Sequence, residues 1–203
     1  MIRNYLRRFG GAAILAVCAS LSLTGCLSTK MYVDPALPTV VKSDIAPTAQ
    51  PRPVVVLFEF TTRGKANARA TAEIKPRVVA VLAESGLFSS VSQTAGAADA
   101  GVFKLTIDNV VDGQNAAAKG FGTGLTLGAV GSMVTDGYVA TATYSYGGKV
   151  TEVDVRHAIH TTIGNKRGPD GLTPMEPQAA VHKAMDQIAW NALKQMGERR
   201  AFD

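Results

Sequence analysis

Hydrophobic and polar positions divide the chain into an apolar leader, a proline-punctuated stretch and a long region of regular patterning. Val54 to Phe60 is a continuous β-rich run interrupted only by Glu59, the pattern of a strand buried on both faces or nearly so. A carboxylate in such a run sits either at an edge or in a pair. Gly64 ends the run. Lys65 to Glu84 is alanine-rich, with Ala70, Ile74, Val78, Val81 and Leu82 at helical spacing. Pro76 inside that pattern predicts a kinked or divided helix, and Gly86 a left-handed cap. Leu87, Phe88 and Val91 predict a short strand.

Val102 to Val111 alternates, with Phe103, Leu105 and Ile107 on one face and Lys104, Thr106 and Asp108 on the other. Tyr138 to Tyr146 alternates too, and Gly147-Gly148 supplies the permissive positions of a tight hairpin leading into Val150 to Ile163. Beyond a loop rich in Gly and Pro, Val181, Ala184, Met185, Ile188, Ala192, Leu193 and Met196 mark one face of a final helix. Thr173 and Glu176 have capping-box spacing, whereas Pro177 suits a first turn. This order predicts an α+β domain over residues 53–203: a mainly antiparallel sheet of about four to five strands, with two helices on one face. Its predicted core joins Val55, Leu57, Leu105, Ile107, Ile188 and Leu193. The opening strand, the helix and the exit Ser85-Gly86-Leu87-Phe88-x-x-Val91 resemble small α+β domains of envelope lipoproteins. Among these are the peptidoglycan-synthase activators, the curli secretion lipoprotein and the N-terminal domain of TolB. The resemblance implies a fold and assigns no functional residue.

The leader supplies an address. Arg3, Arg7 and Arg8 precede the apolar stretch Ala12 to Leu23, which is the layout of a secretory signal. The stretch falls short of the roughly 20 residues of a spanning helix. It ends in Leu23-Thr24-Gly25-Cys26, which resembles the lipobox of bacterial lipoproteins. That resemblance implies removal of residues 1–25, diacylglycerol on the Cys26 thiol, acylation (palmitate) of the new N-terminus, and a lipid bilayer as first partner. Leu27 follows the cysteine. Asp at that position resembles the inner-membrane retention signal, so in a Gram-negative host the family logic favours the outer membrane, facing the periplasm. Cys18 would be discarded with the signal, leaving no second thiol for a disulfide or a thiolate metal site.

Residues 26–52 lack a sustained period and, together with Pro53, contain Pro35, Pro38, Pro47 and Pro51, as expected of a semi-rigid tether. Fully extended it would reach about 90 Å. Met31-Tyr32-Val33 is apolar enough for the part from Met31 to Val41 to pack on the domain instead, and both readings stand. The +5 net charge falls to about +2 once three signal arginines are removed. No run of Lys and Arg and no basic stripe with interleaved aromatics is present, so a nucleic-acid partner is not expected.

The sequence 119–137 forms a glycine-rich insert, and no residue from Phe121 to Thr135 is charged. Gly120, Gly124 and Gly128 recur every four residues, a stripe that permits close helix packing. A loop over the sheet, a helix packed on a partner or membrane surface, and a membrane-crossing hairpin analogous to the curli secretion pore all remain open. If the insert is a contact, Phe121, Leu125, Leu127, Val130 and Met133 would make it. The glycines match neither the dinucleotide fingerprint nor a phosphate-binding loop.

His157 and His160 are three apart on a strand and so face opposite ways, which leaves them poorly disposed to chelate one metal ion. They and His182 are expected to be solvated. Trp190 lies beside the apolar stripe of the last helix, as core edge or as an anchor for a partner. With no catalytic triad, metal or cofactor motif, the expectation is a non-enzymatic binding or scaffolding module with an envelope protein partner. The alternative is a homo-oligomeric, secretion- or pore-associated lipoprotein that uses the insert as its contact.

Overall fold

A computed structural model describes residues 29–94, 99–111 and 132–203. Its elements are β1 (Thr29–Val33), β2 (Arg52–Thr62), β3 (Lys65–Ala66), α1 (Ala68–Glu84), β4 (Phe88–Ser92), β5 (Gly101–Val111), β6 (Ser132–Tyr146), β7 (Lys149–Ile163) and α2 (Pro177–Glu198). The lipobox with Cys26, the signal, and Phe121, Leu125, Leu127 and Val130 of the insert lie outside the described residues.

The fold is α+β. Seven strands form one sheet in the order β1-β7-β6-β5-β2-β3, with β4 also paired to β2. Most pairs are antiparallel, but β2 runs parallel to both β4 and β5. The sheet exceeds the expected four to five strands because β1, with five residues, and β3, with two, are too short to show a period. The β6–β7 hairpin pairs Tyr146 with Lys149 and continues to Ser132 with Ile163. Gly147 and Gly148 both take positive φ there, 56° and 79°, which side chains on those residues would resist.

Both helices contribute to one core with one face of the sheet. Val54, Val56, Phe58 and Phe60 of β2 point into it beside Phe103, Leu105 and Ile107 of β5. Ile74, Val78, Val81 and Leu82 meet them from α1, and Met185, Ile188, Leu193 and Met196 from α2. Leu105, Ile107, Ile188 and Leu193 are buried together as expected. Val55 and Leu57 are not: Leu57 is 48% exposed, on the face without helices. The continuous apolar run concealed ordinary strand alternation, and Glu59 shares the exposed side.

The helix α1 passes through Pro76 undivided, starting from Asn67, whose side chain accepts a bond from the Ala70 amide at 3.0 Å. Gly86 takes φ +77° just beyond it. Pro177 opens α2 with no side-chain cap, so the first-turn reading holds and the capping box does not.

The proline-rich stretch is no free spacer along its length. Thr29 to Val33 pair antiparallel with Ile163 to Ile159, and Met31 exchanges backbone bonds with Met175. Tyr32 is buried, and Gly168 lies so close that a Cβ there would come within 2.6 Å of the ring. Val40 and Ile45 reach the main core. Residues 132–137 of the expected insert are strand, since β6 begins at Ser132.

Candidate functional site

Three polar groupings stand out against this apolar frame. The first is a cleft of about 410 Å³ between α1 and α2, walled on one side by Thr39 and Val40. Residues 182, 186 and 190 follow each other at four-residue steps, so α2 presents His182, Asp186 and Trp190 along one face. Arg77 reaches across from α1. Its Nε donates to Asp186 Oδ1 at 2.9 Å, and its Nη2 donates to the other carboxylate oxygen, which makes a bidentate fork. Its Nη1 lies 3.3 Å from His182 Nδ1. Guanidinium nitrogens only donate, so Nδ1 accepts and His182 carries its proton on Nε2. The paired side chains are about one third exposed, which limits the ion pair to about 1 kcal/mol. Its value is in fixing geometry.

The second grouping lies beneath that wall. His157 is 2% exposed, on the core face of β7, with Nε2 2.7 Å from Gln187 Oε1. The Gln187 amide nitrogen donates to Thr39 Oγ1 at 3.0 Å, and Asn191 donates to the Pro38 carbonyl at 2.9 Å. These bonds bolt the segment Pro38–Val40 to α2. Burial holds the His157 pKa below its usual 6.5, since a charged imidazole there would lose its hydration; the Gln187 bond opposes that shift. His157 Nδ1 has no partner among the described residues.

The third is on the open face. Asp34 Oδ2 lies 3.0 Å from His160 Nε2, and Thr135 Oγ1 lies 2.9 Å from His160 Nδ1. Asp34 Oδ1 also accepts from the Ala36 amide at 2.7 Å. The chain of bonds crosses from the end of β1 over β7 to β6, so it clamps the edge strand laterally. Carboxylate, imidazole and hydroxyl are also the ordered parts of a base-activated nucleophile, although a nucleophile needs in addition donors aimed at an oxyanion.

His157 and His160 do face opposite ways, but the expectation that all three histidines are solvated fails. Each is engaged, because each finds a partner more than twenty residues away in sequence. Trp190 lines the cleft, half-buried. Of the residues expected to make a membrane or partner contact, Met133 is described: it lies half-buried in β6, opposite Thr162. Among the described residues no group of three His, Cys, Asp or Glu side chains is placed to hold a metal ion, and no helix is long and apolar enough to cross a membrane. Asp136, half-buried, and Tyr138, buried, lie two positions apart on one face of β6. Burial raises the pKa of both Asp136 and Tyr138, and the neighbouring Asn109 side chain opposes the rise at each.

No family model and no curated relative matches the chain. Solved structures of similar shape include a Helicobacter pylori protein provisionally described as a neuraminyllactose-binding hemagglutinin homolog. It is 13% identical with a TM-score of 0.36, over 76% of this chain and 90% of that one. A PelC dodecamer from Paraburkholderia phytofirmans is 14% identical with a TM-score of 0.35, over 73% and 93%. A Caulobacter crescentus protein provisionally described as a lipoprotein is 17% identical with a TM-score of 0.22, over 70% and 83%. Likeness at this level assigns neither a family nor an activity.

Proposed function

We propose that this chain is a lipid-anchored protein of the bacterial envelope, acting without catalysis as a binding or scaffolding module on the periplasmic side of the outer membrane. The observation that carries the reading is how soon the domain begins. Thr29 is already paired with Ile163, three residues after the lipobox cysteine Cys26. Three extended residues span about 10 Å. A lipidated Cys26 would therefore hold this end of the sheet against the bilayer, in place of the long reach that a free tether would give. The fixed cleft between α1 and α2, walled by a segment bonded to α2, supports binding as the task.

A second reading has its own support. Ser132 pairs with Ile163, which pairs with Thr29, so the glycine-rich insert rejoins the sheet beside the anchored end. On this reading the uncharged stretch that joins the sheet at Ser132 would be the contact to lipid or to a second copy of the chain. Light scattering and liposome flotation on the Cys26→Ser protein, with and without residues 119–131, separate the two. A monomer that ignores liposomes in both forms supports the module. Self-association or flotation that disappears with the insert supports the oligomeric, secretion-associated reading.

A further inference from the structure

We infer that the cleft between α1 and α2 is a carbohydrate site selective for sugars that carry a carboxylate; this rests on the binding-module reading and names its ligand class. A pyranose has apolar C–H faces and a rim of hydroxyls that need directional partners. The cleft offers both kinds of surface. Trp190 supplies an indole wall, and an aromatic plane is the natural partner of a sugar's apolar face. Polar partners for the rim are already held in place. The bidentate fork fixes Arg77 and Asp186 in one plane, with acceptor lone pairs left on the carboxylate. Because His182 Nδ1 is occupied by Arg77, the imidazole presents Nε2–H as a donor.

Charge then selects among sugars. Arg77 and Asp186 cancel. Lys183, exposed at the cleft, is in no ion pair among the described residues. The cleft thus keeps one uncompensated positive charge, which a carboxylate on the sugar would meet. A volume of about 410 Å³ falls in the range of small-ligand sites and suits a mono- or disaccharide.

Trp190 is the only tryptophan in the chain, so its fluorescence reports on the cleft alone. The full-length protein in detergent is titrated with N-acetylmuramic acid and with N-acetylglucosamine, which differ by the lactyl group bearing the carboxylate. Glucuronic acid is the third arm. The expected result is a saturable change with the acidic sugars at about tenfold higher affinity than with the neutral one. Lys183→Ala should bring the acidic sugars down to the neutral sugar's affinity with an unchanged unfolding midpoint. Saturation by only one of the two acids keeps the site and identifies its source. No saturable response to any sugar, equal affinity for acidic and neutral sugars, or unchanged selectivity in Lys183→Ala overturns the inference. A wild-type chain found at the membrane with no sugar response removes this assignment and leaves the envelope reading standing. A sugar response in a chain absent from the membrane does the reverse.

Discussion

On the helix-covered face of the sheet Val56, Phe103, Leu105, Ile107 and Ala140 are fully buried, whereas the face one residue away presents Leu57, Lys104, Thr106 and Thr141 to its open side. Strand β7 makes the same division with one residue type. His157, toward the helices, is buried neutral against Gln187, while His160, three positions on, bridges Asp34 and Thr135 at the sheet's edge. The covered face derives stability from excluded water and penalises charge. The open face keeps polar groups in reach of solvent and uses them to fasten β1. A side chain's role here follows from strand parity more than from its chemistry.

The strongest way to break this comparison is to truncate one leucine on each face. Leu105→Ala should cost about 2–5 kcal/mol, since a fully buried side chain leaves a cavity among β5, α1 and α2 neighbours. Leu57→Ala, half exposed, should cost less than about 1 kcal/mol. Urea unfolding of the two variants decides it, and equal losses would mean that β2 is buried on both sides after all.

A smaller effect sharpens the histidine contrast. His157 binds its proton less readily when folded than when unfolded. Its contribution is therefore complete above about pH 6.5 and is lost as the pH falls below that value, because the unfolded chain takes up the proton first. The slope is at most about 1.4 kcal/mol per pH unit. Asp136 acts in the opposite sense from pH 3.8 upward, since its raised pKa makes the folded carboxyl the more readily protonated form. Comparing wild type with His157→Met between pH 5 and 7.5 isolates the histidine. The wild type should lose more stability toward acid than the variant, and parallel profiles would remove the buried neutral imidazole from the account.

Regular alternation made the central hairpin and β5 legible, and helical spacing gave α1 and the apolar stripe of α2. The β2 run misled because Val55 and Leu57 are as apolar as the core residues beside them, so composition hid the parity that Glu59 alone signalled. Strand β1 is five residues long beside five prolines, too short to show a period; only the apolar Met31-Tyr32-Val33 hinted that it packs. The polar groupings could not be read at all. Arg77 meets Asp186 across 109 positions, His160 meets Asp34 across 126, and Gln187 meets Thr39 across 148. Such pairs leave no local spacing, and they exist only once the strand order is set. Trp190 was noticeable in sequence, but its place beside Arg77 was not.

The claim that ties the two faces to a biological setting is that the domain is held at a membrane through Cys26, almost without slack. Fractionation of cells expressing wild type and Cys26→Ser tests it most directly, since lasting attachment needs more than one acyl chain and no described helix can substitute for the lipid. The wild type should sediment with membranes. Cys26→Ser should appear in the soluble fraction or stall as the unprocessed form, with the same unfolding midpoint as the wild type. A fully processed Cys26→Ser chain that still sediments with membranes would contradict the account.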